Sequence, residues 1–175
     1  MTPDGHWMTK LVRDIPDYPQ PGVTFRDITP LLGDKDGFAR SIDELVHRFN
    51  GVKVDRVLGM EARGFILAAP VAYRLHAGFI PVRKAGKLPW AVVREEYMLE
   101  YGKDKLEIHR DAIHPGEQIL IIDDVLATGG TAEATARLVE ALGGVIVGLG
   151  FLLELDGLGG RDRLHGHRVE SLVHF

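Results

Sequence analysis

The chain has 175 residues, 45% hydrophobic and 26% charged, with a formal net charge of −4, which suits a single domain over 1–175 with an ordinary core. The negative balance argues against bulk electrostatic binding to nucleic acid or an anionic membrane, so any anion site must be local. The absence of cysteine excludes disulfides, a thiolate nucleophile and a Cys-ligated metal. With no apolar run long enough for a membrane span and no signal-peptide core, a cytoplasmic protein is the expectation.

Residues 7–15 mix apolar and basic side chains and predict a short helix ending near Pro16. Tyr18-Pro19-Gln20-Pro21-Gly22 must be an extended or turning loop, because two prolines fix it. Val23 to Leu32, read alone, is a packed connector with Phe25 inserted in the core. Asp34 or Asp36 can cap a helix in which Phe38, Ile42, Leu45, Val46 and Phe49 recur at helical spacing, stopped by Asn50-Gly51. A strand is expected over 55–60, then a tight turn at Glu61-Ala62-Arg63-Gly64. The helix that follows, over 65–75, is apolar nearly all round and therefore expected to be buried. Gly78 to Val82 reads as a strand running into Arg83-Lys84-Ala85-Gly86-Lys87, three cations among small residues. Residues 88–105 are the least regular and alternate loosely, like a hairpin arm or an active-site lid, with a short strand at 106–109. After a further strand and helix, Gly143-Gly144 is a stop, Val145 to Leu153 a buried strand, and 169–173 a last strand. His165 and His167 read as solvated rather than metal-binding.

The chemistry concentrates in Ile119-Leu120-Ile121-Ile122-Asp123-Asp124-Val125-Leu126-Ala127-Thr128-Gly129-Gly130-Thr131. Four aliphatic residues predict a buried strand with two acids at its carboxyl end, the edge at which open α/β sheets bind ligands. Thr131 then opens a helix reaching Leu142. Gly129 and Gly130 let backbone N–H groups approach a ligand at a helix N-terminus, where an anion is favoured, and Thr128 and Thr131 add hydroxyls. Residues 127–131 therefore read as a phosphate cradle. Asp123 and Asp124 would repel phosphate but suit sugar hydroxyls or a developing positive charge. A ribose 5-phosphate satisfies both halves; an ordinary βα turn with two solvated acids is the plainer alternative. Neither a Walker A loop nor a dinucleotide fingerprint is present.

This stretch resembles the phosphoribosyl diphosphate (PRPP) motif of the type I phosphoribosyltransferases. Three further stretches, in order, are similar to the adenine phosphoribosyltransferase family: Pro21 to Leu32, Glu61-Ala62-Arg63-Gly64-Phe65, and Arg83 to Pro89 with Leu99-Glu100-Tyr101-Gly102. The resemblance implies an α/β fold with a central, mainly parallel sheet flanked by helices and a mobile catalytic loop or hood. It implies transfer of phosphoribosyl from PRPP to adenine, giving AMP and diphosphate. Backbone groups near Thr24, Phe25 and Arg26 would then read the purine edge, with Phe25 and Leu155 sandwiching the ring. Asp123 and Asp124 would hold the ribose hydroxyls and stabilise the developing charge. Ala127, Thr128, Gly129, Gly130 and Thr131 would hold the 5-phosphate, Arg63, Arg83 and Lys87 the diphosphate, and Val125, Leu126 and Tyr101 would also line the PRPP site. Glu100 would take or relay the purine proton. Mg²⁺ would ride on PRPP and water with no direct protein ligand, and a homodimer is implied because the residue like Arg83 can reach a neighbouring site. The family often has a non-proline cis peptide at the position of Glu61-Ala62. The rival readings are a phosphoribosyltransferase for another base, a PRPP-sensing regulator, and a plain α/β subunit.

Overall fold

The computed structural model describes residues 6–98 and 103–175. Helix α1 (His6–Thr9) is one turn long and is followed by a small antiparallel pair, β1 (Arg13–Ile15) and β2 (Phe25–Asp27). The single helix expected over 7–15 is thus corrected to a turn of helix and a strand. Ile15 precedes Pro16, which disfavours helical backbone there. Arg13 and Asp14 instead find partners across the pair, Asp27 at 3.7 Å and Arg26.

Helices α2 (Thr29–Gly33) and α3 (Lys35–Arg48) follow. Asp34 caps α3 by accepting the Gly37 N–H at 2.7 Å. The chain then alternates: β3 (Arg56–Met60), α4 (Arg63–Arg74) and β4 (Gly78–Lys84). A hairpin of β5 (Val92–Met98) and β6 (Lys103–His109) comes next, then β7 (Gln118–Leu126), α5 (Gly130–Ala141), β8 (Val145–Glu154) and β9 (Val169–His174).

The seven larger strands form one sheet in the order β5-β6-β4-β3-β7-β8-β9. The five from β4 to β9 are parallel; the hairpin adds two antiparallel strands at the β4 edge. Helices cover both faces, which explains the unbroken apolar run of β7. Ile119 and Ile121 point into a core shared with Leu138 and Val139 of α5. Leu120 and Ile122 point to the other face, among Leu67, Ala68 and Val71 of α4.

Two expectations need adjusting. Helix α4 is buried along one stripe only; Ile66 and Tyr73 are exposed, because the sheet and α3 cover just its inner side. Strand β7 does not stop at the acids but runs through them to Leu126, paired with β8 as far as Glu154.

The connections place the site. Strand β3 passes through α4 to β4 on one side; β7 passes through α5 to β8 on the other, and the two helices lie on opposite faces. Because β3 and β7 are direct neighbours, their carboxyl ends diverge and leave a crevice. Open α/β sheets bind ligands at such a switch point.

Candidate active site

Two adjoining hollows occupy that crevice. The smaller, 80 Å³, is lined by Asp123, Val125 to Ala132 and Phe151. Its floor is the loop 127–131 and the first turn of α5, whose leading N–H groups have no acceptor within the helix. The larger, 410 Å³, is lined by Glu61, Ala62, Arg63, Lys84, Tyr97, Leu106, Asp123, Asp124, Val125 and Thr131. The two share Asp123, Val125 and Thr131, so a ligand can span both.

The cradle loop depends on bare backbone. Gly129 has φ +81°, and a Cβ there would lie 2.5 Å from the Gly160 carbonyl oxygen. A Cβ on Gly160 would come within 2.1 Å of the Ala127 carbonyl oxygen. The glycine at 160 is thereby explained: it lets one backbone brace another. Thr128 is exposed beside the loop and Thr131 half-buried within it.

Asp123 and Asp124 follow on alternate faces of β7. Asp124 is buried, 5% exposed, and Asp123 partly so. The Asp123 carboxylate accepts the Asp124 N–H at 2.9 Å. Burial pushes the Asp123 carboxyl well above the ordinary carboxylate range, and the neighbouring Asp124 charge pushes the same way. Asp124 Oδ2 lies 2.7 Å from Arg63 Nε, yet the N–H is not aimed at it. The contact is an ion pair by distance, and among the described residues the oxygen receives no hydrogen bond. A buried carboxylate oxygen without a donor, on a cleft, is an acceptor waiting for a hydroxyl.

Arg63, at the start of α4, links the two halves of the site. Besides Asp124 it reaches Phe25, its guanidinium 5.2 Å from the ring centroid. Tyr18 sits edge-on to the same ring at 5.4 Å. Phe25 is therefore half-buried at the crevice, not a plug in the core. Arg26 lies over the Phe175 ring at 4.4 Å, and Thr24 is exposed just before β2. Leu155 follows β8 directly, beside the end of β7, its N–H bonded to Leu126 O at 3.0 Å. The Glu61–Ala62 peptide is cis. Arg83 and Lys87 both pair with Glu61. Glu100 and Tyr101, with the rest of the stretch 99–102, lie outside the described residues.

Four residues of the crevice escaped the sequence reading. Gly64 looked like a turn glycine, but its role is close approach: a Cβ would stand 2.6 Å from Asp123 Oδ1. Tyr97 is 7% exposed and pairs across the hairpin with Asp104, its hydroxyl 3.3 Å from that carboxylate. Lys84 meets the same carboxylate at 3.1 Å. Glu61 was read as part of a turn and of the stretch Glu61-Ala62-Arg63-Gly64-Phe65 that resembles the family, with no role of its own. The strand alternation that turns Tyr97 inward could have found it; the others depend on contacts between distant segments.

Magnesium prefers six oxygens in octahedral array and keeps much of its water. Glu61 is held by cations and Asp124 by Arg63, and Asp123 is engaged with backbone. Glu154, Asp156 and His174 also draw together. There Glu154 accepts Arg161 Nε at 2.9 Å and the Ser171 hydroxyl at 2.6 Å, an ion-pair network already complete.

The family model described as a phosphoribosyl transferase domain matches residues 32–171. The chain is 56% identical over 168 residues to an adenine phosphoribosyltransferase of Acidobacterium capsulatum, covering 96% of this chain and 93% of that one. Its fold is similar to the crystal structure of adenine phosphoribosyltransferase from Thermoanaerobacter pseudethanolicus. The TM-score is 0.95 at 49% identity, covering 98% of this chain and 99% of that one. It is also similar to the Saccharomyces cerevisiae adenine phosphoribosyltransferase complexed with an imino-altritol bisphosphate and adenine. There the TM-score is 0.91 at 38% identity, covering 96% and 97% of the two chains. A cradle at a helix N-terminus, paired acids on the strand before it and a fold shared from end to end place the chain in the phosphoribosyltransferase family, among the adenine phosphoribosyltransferases.

Proposed function

We infer that this protein transfers the 5-phosphoribosyl group of PRPP to N9 of adenine, giving AMP and diphosphate. The observation that carries the site assignment is Asp124: a buried carboxylate oxygen without a donor, on a cleft that continues into the loop 127–131. In this reading the 5-phosphate occupies the smaller hollow, on the backbone of Val125 to Thr131 and the hydroxyls of Thr128 and Thr131. The ribose hydroxyls bond Asp123 and Asp124. Arg63, Arg83 and Lys87 face the diphosphate. The purine lies between Phe25 and Leu155, its edge read by backbone at Thr24 to Arg26.

The chemistry follows from where charge develops. As the anomeric bond breaks, the ribose becomes oxocarbenium-like and positive, and diphosphate gains negative charge. Fixed carboxylates under the sugar and fixed cations at the leaving group stabilise both ends with little reorganisation. Bound Mg²⁺ would neutralise diphosphate oxygens, held through PRPP and water with no direct protein ligand. Glu100 receives or relays the purine proton, and Tyr101 accompanies it on the loop. A homodimer is part of this reading, with Arg83 able to serve either subunit's site, as is a cytoplasmic location. No helix among the described residues is long and apolar enough to cross a membrane.

Substituting Asp124→Asn tests the assignment, since it keeps the shape and removes the charge. Turnover should fall by about 100-fold or more with the melting temperature nearly unchanged. Near-normal turnover would remove Asp124 from charge stabilisation.

A further inference from the structure

A cleft built for diphosphate is a poor place for a carboxylate, yet Glu61 lines it. The side chain is 10% exposed, at the start of the β3–α4 turn. Burial works against its charge, but Lys87, the Lys84 N–H and Arg83 outweigh that and hold the carboxyl below its ordinary range. Oε2 accepts Arg83 Nε at 3.2 Å and the Lys84 N–H at 3.2 Å, and Oε1 pairs with Lys87 Nζ. Every one of these donors comes from the 83–87 segment, more than twenty residues away in the chain.

That segment does not need Glu61 to hold its backbone. From the other side Glu107, 2% exposed, accepts the Gly86 N–H at 2.9 Å. The Ala85 N–H bonds Lys105 O at 3.0 Å, and the Glu61 main chain bonds Val82 O at 3.0 Å. Besides the Lys84 N–H, the Glu61 carboxylate holds two long cationic side chains: it is the partner of Lys87 Nζ and of Arg83 Nε, while Arg83 Nη1 also donates to the Lys87 carbonyl at 3.2 Å. Such chains lose rotamer freedom when they close on a ligand, and ordering them beforehand lowers that cost.

We propose that Glu61 is a positioning residue for diphosphate, holding Arg83 and Lys87 against the wall of the cleft that Glu61 lines before PRPP arrives. The inference rests on the reading of Arg83 and Lys87 as diphosphate ligands. It makes Glu61 a helper of PRPP binding, even though its charge taken alone would repel the ligand.

The decisive variant is Glu61→Gln, which keeps the shape and one acceptor but drops the charge. In steady-state assays of the full chain, KM for PRPP should rise about tenfold while kcat at saturating PRPP stays within about twofold. In the reverse reaction KM for diphosphate should rise in step. AMP affinity, measured by calorimetry, should hold, because AMP carries no diphosphate. Glu61→Asp, which keeps the charge on a shorter arm, should fall between. In an Arg83→Ala/Lys87→Ala background, Glu61→Gln should no longer raise the PRPP KM, and removing the now unpaired charge should lower it.

A lower KM for PRPP in Glu61→Gln would make Glu61 a competing anion and overturn the proposal. So would a fall in melting temperature and AMP affinity together, which marks a purely structural role, or an effect that adds fully to that of the double variant. A normal PRPP KM in Arg83→Ala/Lys87→Ala would overturn the diphosphate assignment beneath the proposal. A raised KM there beside a normal one in Glu61→Gln would overturn the role of Glu61 alone.

Discussion

Replacing Gly64 by alanine adds one methyl group at the tightest point between α4 and β7. Its Cβ would stand 2.6 Å from Asp123 Oδ1 and 3.2 Å from Ile122 O, where ordinary contact begins at 3.4 Å. To restore contact the carboxylate must retreat by about 0.8 Å, and a misplacement of that order in a catalytic group costs roughly 30- to 100-fold in rate. Stability responds in a different way. Gly64 lies in the first turn of α4 without a left-handed φ, so alanine gains about 1 kcal/mol of helix preference. Overpacking costs about 1–3 kcal/mol, leaving a net loss between nothing and about 2 kcal/mol. For a chain this long that lowers Tm by at most about 8 °C. The assay is kcat for AMP formation at saturating substrates beside a thermal melt. A kcat near the parent's with a much larger Tm loss would show that α4, not the carboxylate, gives way, and would refute the argument.

Asp123→Asn should raise Tm at neutral pH while lowering kcat. The folded carboxyl is held above its ordinary value of 3.8, so the protonated form is favoured in the fold and that stability is lost as pH rises through the raised value. The Tm advantage of asparagine should therefore grow as pH rises above the ordinary carboxylate value of 3.8; an advantage that shrinks as pH rises would contradict the burial argument. Phe25→Ala should raise KM for adenine by about tenfold through lost stacking and leave KM for PRPP alone, whereas equal changes in both would move Phe25 out of the base site. Gly148→Ala should be a stability variant only. Its Cβ would meet the fully buried Phe49 ring at 2.4 Å, costing about 1–3 kcal/mol, or about 2–12 °C in Tm, with kcat at 25 °C retained. Lost activity without lost Tm would mean that the sheet transmits the strain to the site.

Much of the crevice was legible because it is local in sequence. The run from Ile119 to Thr131 carries strand, acids, turn and helix start in one stretch, and each has a residue-level cause. The glycines of the cradle were read as letting backbone approach a ligand, which fits the loop they build. What was not legible depends on segments that meet only in the fold. The need for glycine at 64 exists because β7 continues through Asp123 alongside it. Glu61 is linked to Arg83 and Lys87 only because β3 and β4 are neighbours. Tyr97 and Lys84 converge on Asp104 through hairpin pairing, which loose alternation in sequence left open. At the N-terminus, local helical character over 7–15 lost to cross-strand partners in β2 and to Pro16. The outer stripe of α4 is apolar enough to suggest burial, but composition cannot say which face a neighbouring element will cover.

The most direct test of the account is product formation from PRPP and Mg²⁺ with adenine, run beside hypoxanthine, guanine, xanthine and orotate on the same purified protein. The account predicts AMP from adenine and no comparable product from the other bases. A nucleotide formed from another base at a similar rate would contradict the purine assignment of Phe25 and Leu155. No product from any base, with PRPP still bound, would contradict the catalytic reading of Asp123 and Asp124.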